Sequence, residues 1–349
     1  MAAAQSRALV VMQDIDLGYF ICEFNLNHLF AGRSDLEFPP ILNLPEPVVL
    51  FNHGVDKDCL TIAVNGNLVV ALASRKGQTL LYDTDSHTIS GGPDTLPGKP
   101  AITLVPVADM FFAMSCCRHL DPKGSPHFEL LLRLHDAEEE ENRSRWAWRP
   151  IPDPPLLSRP GRRGREWFIS ARFVAGAHIW VSFSGEGTFS FDTERRRWRR
   201  EGNWVLPVSG RATLVPDFLG DGRQLLFGFC SREEGGHFCA VDMEARPPAI
   251  IKSWPEACVY QCQLALCAGY RAIPEASGLS YFGGGRFCIS MHVITGYIQR
   301  KCIMTNTSER LPREAITLMA VEVTPELQLL KRKVECYFIP PGSTLGYMV

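Results

Sequence analysis

The sequence predicts an all-β fold, a β-propeller of about six four-stranded blades, with strands from both chain ends as candidates to close the ring. Three observations lead there. A pattern recurs at intervals of 50 to 58 residues through most of the chain. Apolar runs have strand length, and 25 Pro and 29 Gly punctuate them. Apolar spacing of the helical kind is almost absent, so a sandwich, barrel or propeller is favoured over any helical fold.

The clearest repeat begins at Gly77-Gln-Thr-Leu-Leu-Tyr-Asp-Thr84 and continues through Leu96-Pro97, Leu104-Val-Pro106 and Phe111-Phe-Ala-Met114. Its second copy is Gly187-Thr-Phe-Ser-Phe-Asp-Thr193, Leu206-Pro207, Leu214-Val-Pro216 and Leu226-Phe-Gly-Phe229. The Pro97–Pro106 and Pro207–Pro216 spacings are both nine residues, and the two Asp-Thr pairs lie 109 apart, so these are units separated by another. Glu129-Leu-Leu-Leu-Arg-Leu-His-Asp136 supplies the unit between them. His237-Phe-Cys-Ala-Val-Asp242, Leu318-Met-Ala-Val-Glu322 and Tyr19-Phe-Ile-Cys-Glu-Phe-Asn25 give further copies. The markers Asn25, Asp83, Asp136, Asp192, Asp242 and Glu322 follow one another at 58, 53, 56, 50 and 80 residues. The long last interval predicts an insertion loop near 295–313 within a single domain spanning 1–349.

Each unit reads as four strands. Asn67–Ala73 and His178–Phe183 are apolar enough for strands buried on both faces. A Gly-containing hairpin follows each (75–77 and 184–187), then an alternating strand that ends on Asp, where turn chemistry expects it. A fourth strand carries aromatic residues such as Trp198. One unit cannot cover both faces of its own sheet, so neighbours must stack. Ala8-Leu-Val-Val-Met12 and Val334-Glu-Cys-Tyr-Phe-Ile339 are the strands expected to contribute to closure.

Tyr82-Asp-Thr84 and Phe191-Asp-Thr193 followed by Trp198 resemble the passage from third to fourth strand in kelch propellers. Phe191-Asp-Thr193, Trp204-Val-Leu-Pro207, Gly210-Arg-Ala212, Leu81-Tyr-Asp-Thr84 and Gly283-Gly-Gly-Arg-Phe-Cys-Ile289 together resemble a cereal-grass family of uncharacterised kelch-like proteins, a domain of unknown function. That resemblance implies a fold without an activity. Kelch-like relatives often form the substrate-reading half of F-box ubiquitin-ligase subunits, but residues 1–30 read as strand rather than as a helical F-box.

Composition narrows the function classes. Lys and Arg total 36 against 38 Asp and Glu, a net charge of −2, so no bulk field steers the chain to nucleic acid or an anionic membrane. The five-residue apolar run at 8–12 is too short for a signal peptide, and no stretch approaches a membrane span. The expectation is a monomeric protein of the cytoplasm or nucleus. The 12 cysteines fit free thiols, many of them inside apolar runs, and no CxxC pair occurs. Cys258, Cys262 and Cys267 cluster, but no His accompanies them as a zinc site would require.

No catalytic motif stands out. There is no Gly-x-Ser-x-Gly elbow, and Gly92-Pro-Asp-Thr-Leu-Pro-Gly98-Lys99 has the wrong spacing for a phosphate loop. The nine histidines form no His-x-His or His-x3-His pair. No catalytic residue, metal or cofactor is therefore expected. Two basic segments remain: Arg162, Arg163 and Arg165 in a polar linker, and Arg195, Arg197 and Arg199 around Trp198. They read either as solvated turns and a charged edge strand, or as a surface for a protein partner. The expected function is a non-catalytic module for protein–protein interaction. The alternatives are an enzyme whose site lies at the central channel, or a nucleic-acid or phosphoprotein binder acting through the arginines.

Overall fold

The computed structural model describes residues 7–14, 18–31, 40–51, 60–73, 76–96, 102–116, 127–134, 145–156, 167–231, 235–255, 257, 271–301, 308–340 and 343–348. The chain divides into two compact units, one made of Met1–Val55 with Pro207–Val349 and the other of Asp56–Leu206. The first opens with β1 (Arg7–Asp14), β2 (Gly18–Asn25), α1 (Asn27–Phe30), β3 (Ile41–Asn43) and β4 (Pro47–Phe51). The second supplies β5 (Leu60–Asn65), β6 (Leu68–Ala73), β7 (Thr79–Asp83), β8 (Thr88–Gly91), β9 (Ile102–Val107), β10 (Met110–Ser115), β11 (Phe128–Leu134) and β12 (Arg145–Pro150). It continues through β13 (Ile169–Ala175), β14 (His178–Phe183), β15 (Gly187–Asp192) and β16 (Arg197–Gly202). The first unit resumes with β17 (Val208–Pro216), β18 (Gln224–Cys230), β19 (Phe238–Asp242), β20 (Ala249–Trp254) and β21 (Arg271–Tyr281). It ends with β22 (Arg286–Lys301), β23 (Ser308–Val323), β24 (Leu329–Phe338) and β25 (Ser343–Met348). The fold is all-β, as the strand-length runs predict.

Within Asp56–Leu206, four consecutive strands pair antiparallel three times over: β5–β8, β9–β12 and β13–β16. The period-2 alternation of a strand decides what each face meets. On β10, Phe111 and Ala113 join Val70, Leu72 and Leu81 of the preceding sheet. Phe112 and Met114, pointing the other way, join Val181, Phe189 and Phe191 of the following sheet. The middle sheet is thus apolar on both faces because it has a neighbour on each. Fourth-strand tryptophans reach across these interfaces: Trp148 donates its indole N–H to Thr79 Oγ1 at 2.9 Å, and Trp198 donates to the Pro152 carbonyl at 2.7 Å.

The other unit repeats the scheme. Strands β17–β20 form one antiparallel set, and β21–β24 a second, which β3 extends by a parallel pairing to β24. A third takes the order β25-β1-β2-β4. Phe287, Ile289, Met319 and Val321 of the middle sheet pack on Phe227, Phe238 and Trp254. Cys288, Ile316, Leu318 and Ala320 face Val10, Met12, Phe20 and Cys22. First strands of neighbouring sheets lie side by side within each unit: β5 beside β9, and β21 beside both β17 and β25.

The repeat markers take equivalent places. Asn25, Asp83, Asp192 and Asp242 end β2, β7, β15 and β19, and Glu322 stands one residue before the end of β23. Asp136 lies outside the described residues. The segment 295–313, expected as an insertion loop, is instead largely a ladder. Strands β22 and β23 stay paired out to Lys301↔Ser308, with a register shift between Ile294 and Gly296. Ile294, Tyr297 and Ile298 keep strand propensity going there, which lengthens the paired strands. Both candidate end segments share a sheet with strands from the other end of the chain: Ala8–Met12 lies in β1, which pairs with Ser343–Met348, and Val334–Phe338 lies in β24, whose Cys336–Phe338 pair with Ile41–Asn43 of β3.

Phe128 is fully buried against Phe112, Phe191 and Trp198. Phe128→Ala should lower the unfolding free energy by about 3–5 kcal/mol, read from the shift in urea midpoint at unchanged m-value.

Candidate functional site

The turn that follows each third strand sets the position of the arginines. Asp192 closes β15, and its Oδ1 accepts hydrogen bonds from the backbone N–H of Glu194 (3.0 Å) and Arg195 (2.8 Å). Asp83 does the same for Asp85 and Ser86, both at 2.9 Å, and Asp242 for Glu244 at 2.8 Å. The second carboxylate oxygen ties in the turn between first and second strands: Asn67 donates to Asp83 at 3.3 Å, His178 stands 3.7 Å from Asp192 and Arg223 3.5 Å from Asp242. Hydrogen bonds from the turn amides, foremost Ser86 and Arg195, hold the Asp83 and Asp192 carboxyls below the ordinary carboxylate range. The recurrent aspartate is a turn clamp.

Four residues beyond the clamp the backbone turns left-handed, at φ +53° for His87 and +52° for Arg196. Leu327, in the turn between β23 and β24, adopts φ +58°. Such a conformation favours glycine, so each side chain there needs a reason. His87 has one in the Tyr82 hydroxyl, 3.0 Å from its Nδ1. Leu327 packs on the core of its unit. Arg196 is exposed and has no ion pair or hydrogen-bond partner among the described residues.

Of the arginines singled out from the sequence, Arg162, Arg163 and Arg165 lie outside the described residues. Arg195, Arg197 and Arg199 come together on β16 and the turn entering it. Arg195 is loosely held, 3.7 Å from Asp192 with its side chain 83% exposed. Arg197 is exposed and unpaired among the described residues. Arg199 is engaged: Nε and Nη2 both reach Glu201 Oε1 at 2.8 Å, and Ser190 Oγ donates to the same oxygen. Arg200 donates to the Glu186 carbonyl at 3.0 Å and covers the Phe189 ring. The available cations are therefore Arg195, Arg196 and Arg197. The sequence reading passed over Arg196, whose signal is its place four residues after a clamp aspartate.

The polar groups around Glu335 satisfy one another. Glu335 on β24 is buried and accepts from Lys333 Nζ at 2.7 Å, Tyr337 Oη at 2.5 Å and His28 Nε2 at 3.0 Å. Burial acts to raise its pKa, but the hydrogen bonds from Lys333, Tyr337 and His28 outweigh it and hold the carboxyl below its ordinary value. In the same unit, His292 Nε2 and Glu314 Oε2 lie 2.7 Å apart, both buried and neither in a well-formed hydrogen bond among the described residues. Burial pushes the Cys22 thiol up to about 11 and the Cys288 thiol up to about 12, so neither is a thiolate nucleophile at neutral pH. Cys258, Cys262 and Cys267 lie outside the described residues.

Two outcomes follow. Replacing Arg196 by glycine relieves the left-handed backbone and removes no described contact, so R196G should raise the melting temperature, by up to about 1 kcal/mol of stability. Glu335 titrates lower in the folded chain than in the unfolded one. Its stabilisation is complete above the ordinary carboxylate range and is lost as pH falls through the folded value. The urea midpoint should drop between about pH 5 and pH 2, and Glu335→Gln should flatten part of that limb, other carboxyls held below their ordinary range, among them Asp83, Asp192, Asp221 and Glu326, contributing as well.

The comparisons with known proteins bear on the whole chain. No curated protein matches it. Among solved structures, a putative 6-phosphogluconolactonase from Bacteroides fragilis aligns over 100% of this chain and 99% of its own. The identity is 9% and the TM-score 0.41, a likeness too slight to bear on fold or activity. A family model described as a protein of unknown function, DUF1668, matches residues 8–337. Residues 8–337 take in every strand from β1 to β24 apart from a terminal residue at either end, and the chain accordingly belongs to the DUF1668 family.

Proposed function

We propose that the chain is a single-domain, kelch-like β-propeller of about six blades which presents its turns to a protein partner and carries out no chemistry of its own. Two features support the architecture. Four-stranded antiparallel sets follow one another within each unit, and the first strands of neighbouring sets lie side by side. A propeller holds many turns on a rigid frame, which suits recognition without catalytic groups.

One observation carries the functional reading: Arg195, Arg196 and Arg197 stand exposed and largely unneutralised on a clamped turn, while Glu335, His28, Lys333 and Tyr337 are consumed by mutual hydrogen bonds. Exposed cations that the chain leaves largely unneutralised suit a recognition surface, whereas titratable groups locked to each other serve packing. The test is affinity purification of the tagged chain from plant tissue. A protein recovered in stoichiometric amount, and lost at raised salt, is the expected result. Recovery of the bait alone, with a turnover found in activity screens, would replace this reading with an enzymatic one.

A further inference from the structure

Independently of the interaction-module reading, we propose that His292 and Glu314 bind a divalent transition-metal ion of the zinc type between β22 and β23. Five buried side-chain atoms lack a hydrogen-bond partner among the described residues: Thr103 Oγ1, Trp167 Nε1, Ser290 Oγ, His292 Nε2 and Glu314 Oε2. Buried polar atoms are ordinarily paired, and orphans call for an explanation such as a bound ion. Two of these five stand 2.7 Å apart, His292 Nε2 and Glu314 Oε2. A third, Ser290 Oγ, belongs to the next residue along the same face of β22.

Strand pairing brings the two together. Ile316 lies opposite His292, and Glu314 opposite Ile294, so His292 and Glu314 are diagonal neighbours on one face of the sheet. That face also carries Cys288, Ile316 and Leu318, packed against Val10, Met12 and Phe20, so its surroundings are apolar. The Glu314 backbone is fixed by its carbonyl, which accepts the Ile339 N–H at 3.0 Å.

An ordinary ion pair does not account for this contact. With a proton on Nε2, the N–H direction misses the carboxylate oxygen; without one, a nitrogen lone pair and that oxygen crowd each other. Glu335, on the same face of the sheet, receives Lys333, Tyr337 and His28, whereas no Lys or Arg reaches Glu314 among the described residues. A buried carboxylate left so is costly, and a cation bound to both atoms removes either conflict at once.

The donors name the ion. Imidazole nitrogen with carboxylate oxygen suits zinc and its neighbours, whereas calcium and magnesium take oxygen ligands. Ligand atoms about 2.0–2.2 Å from zinc stand roughly 3 Å apart, a separation that a small rotation of the Glu314 carboxylate reaches. No third His, Cys, Asp or Glu joins the pair among the described residues, so the remaining positions fall to water or to a group arriving from solution. Entry is from the Glu314 side chain, 18% exposed against 6% for His292. Pairing with β21 ends at Ile294 and with β24 at Ala315. An ion at this level therefore clamps the base of the stretch in which β22 and β23 pair with each other alone.

The test uses the full chain, stripped with a chelator and titrated with Zn²⁺ and separately with Co²⁺, whose absorption reports its ligands. Expected are one zinc ion retained per chain, a rise in urea midpoint on adding zinc, and a cobalt spectrum without the thiolate charge-transfer bands that the cysteines would give. His292→Ala and Glu314→Gln should each weaken zinc binding about tenfold or more and abolish the rise. Glu314→Gln also removes a buried charge, so without metal its urea midpoint should be no lower than that of the unsubstituted chain, and this variant decides the matter if His292→Ala fails to fold. No retained zinc, thiolate bands alone, or an unchanged affinity and midpoint shift in Glu314→Gln overturns the site and leaves the two side chains a packed pair.

Discussion

A β-sheet with apolar side chains on both faces cannot stand by itself in water, and this constraint organises each unit. On β10, Phe111 and Phe112 are adjacent in sequence and fully buried, yet they point into different cores. The same division separates Phe287 from Cys288 on β22. Each middle sheet therefore needs a neighbour on either side, and stacking follows from apolar area that nothing else can cover. The indole N–H groups of Trp148, Trp198 and Trp254 reach acceptors at Thr79, Pro152 and Leu327, so their burial leaves these three hydrogen-bonded.

The turns are fixed by a different force. An aspartate at the end of the third strand accepts backbone hydrogen bonds from the turn ahead and contacts a polar side chain from the turn between first and second strands. One carboxylate thus joins two loops at the same end of a sheet. The positions around it are free to vary, and they do: the residue in the left-handed position is His87 after one sheet's third strand and Arg196 after another's. Variation on a clamped frame is how a repeated structure acquires one distinctive surface.

Much of this was legible beforehand. The Asp markers, the apolar pairs and the Gly-containing hairpins recur because each answers a local need of the backbone. Gly77, for instance, has φ +74°, and a Cβ there would fall 2.7 Å from the Thr95 carbonyl oxygen. Local needs leave local signatures. The extension of β22 and β23 was not legible, because an interval of 80 residues between Asp242 and Glu322 shows only that chain has been added. Whether added chain loops out or lengthens a hairpin depends on pairing between strands distant in sequence.

The candidate surface divides in the same way. The sequence shows five arginines around Trp198 but not which of them are available. Arg199 meets Glu201 two residues away, on the same face of the strand, while Arg196 is left outward by a turn whose clamp lies four residues upstream. The sequence by itself determined strand content, the repeat and the turn chemistry, since these depend on alternation and backbone preference within a few residues. Only tertiary structure decided which C-terminal strand joins β1, which faces of the middle sheets meet which neighbours, and which charges find partners. Each of these depends on what lies across a gap in space, and adjacency in space between distant segments is not written in any one of them.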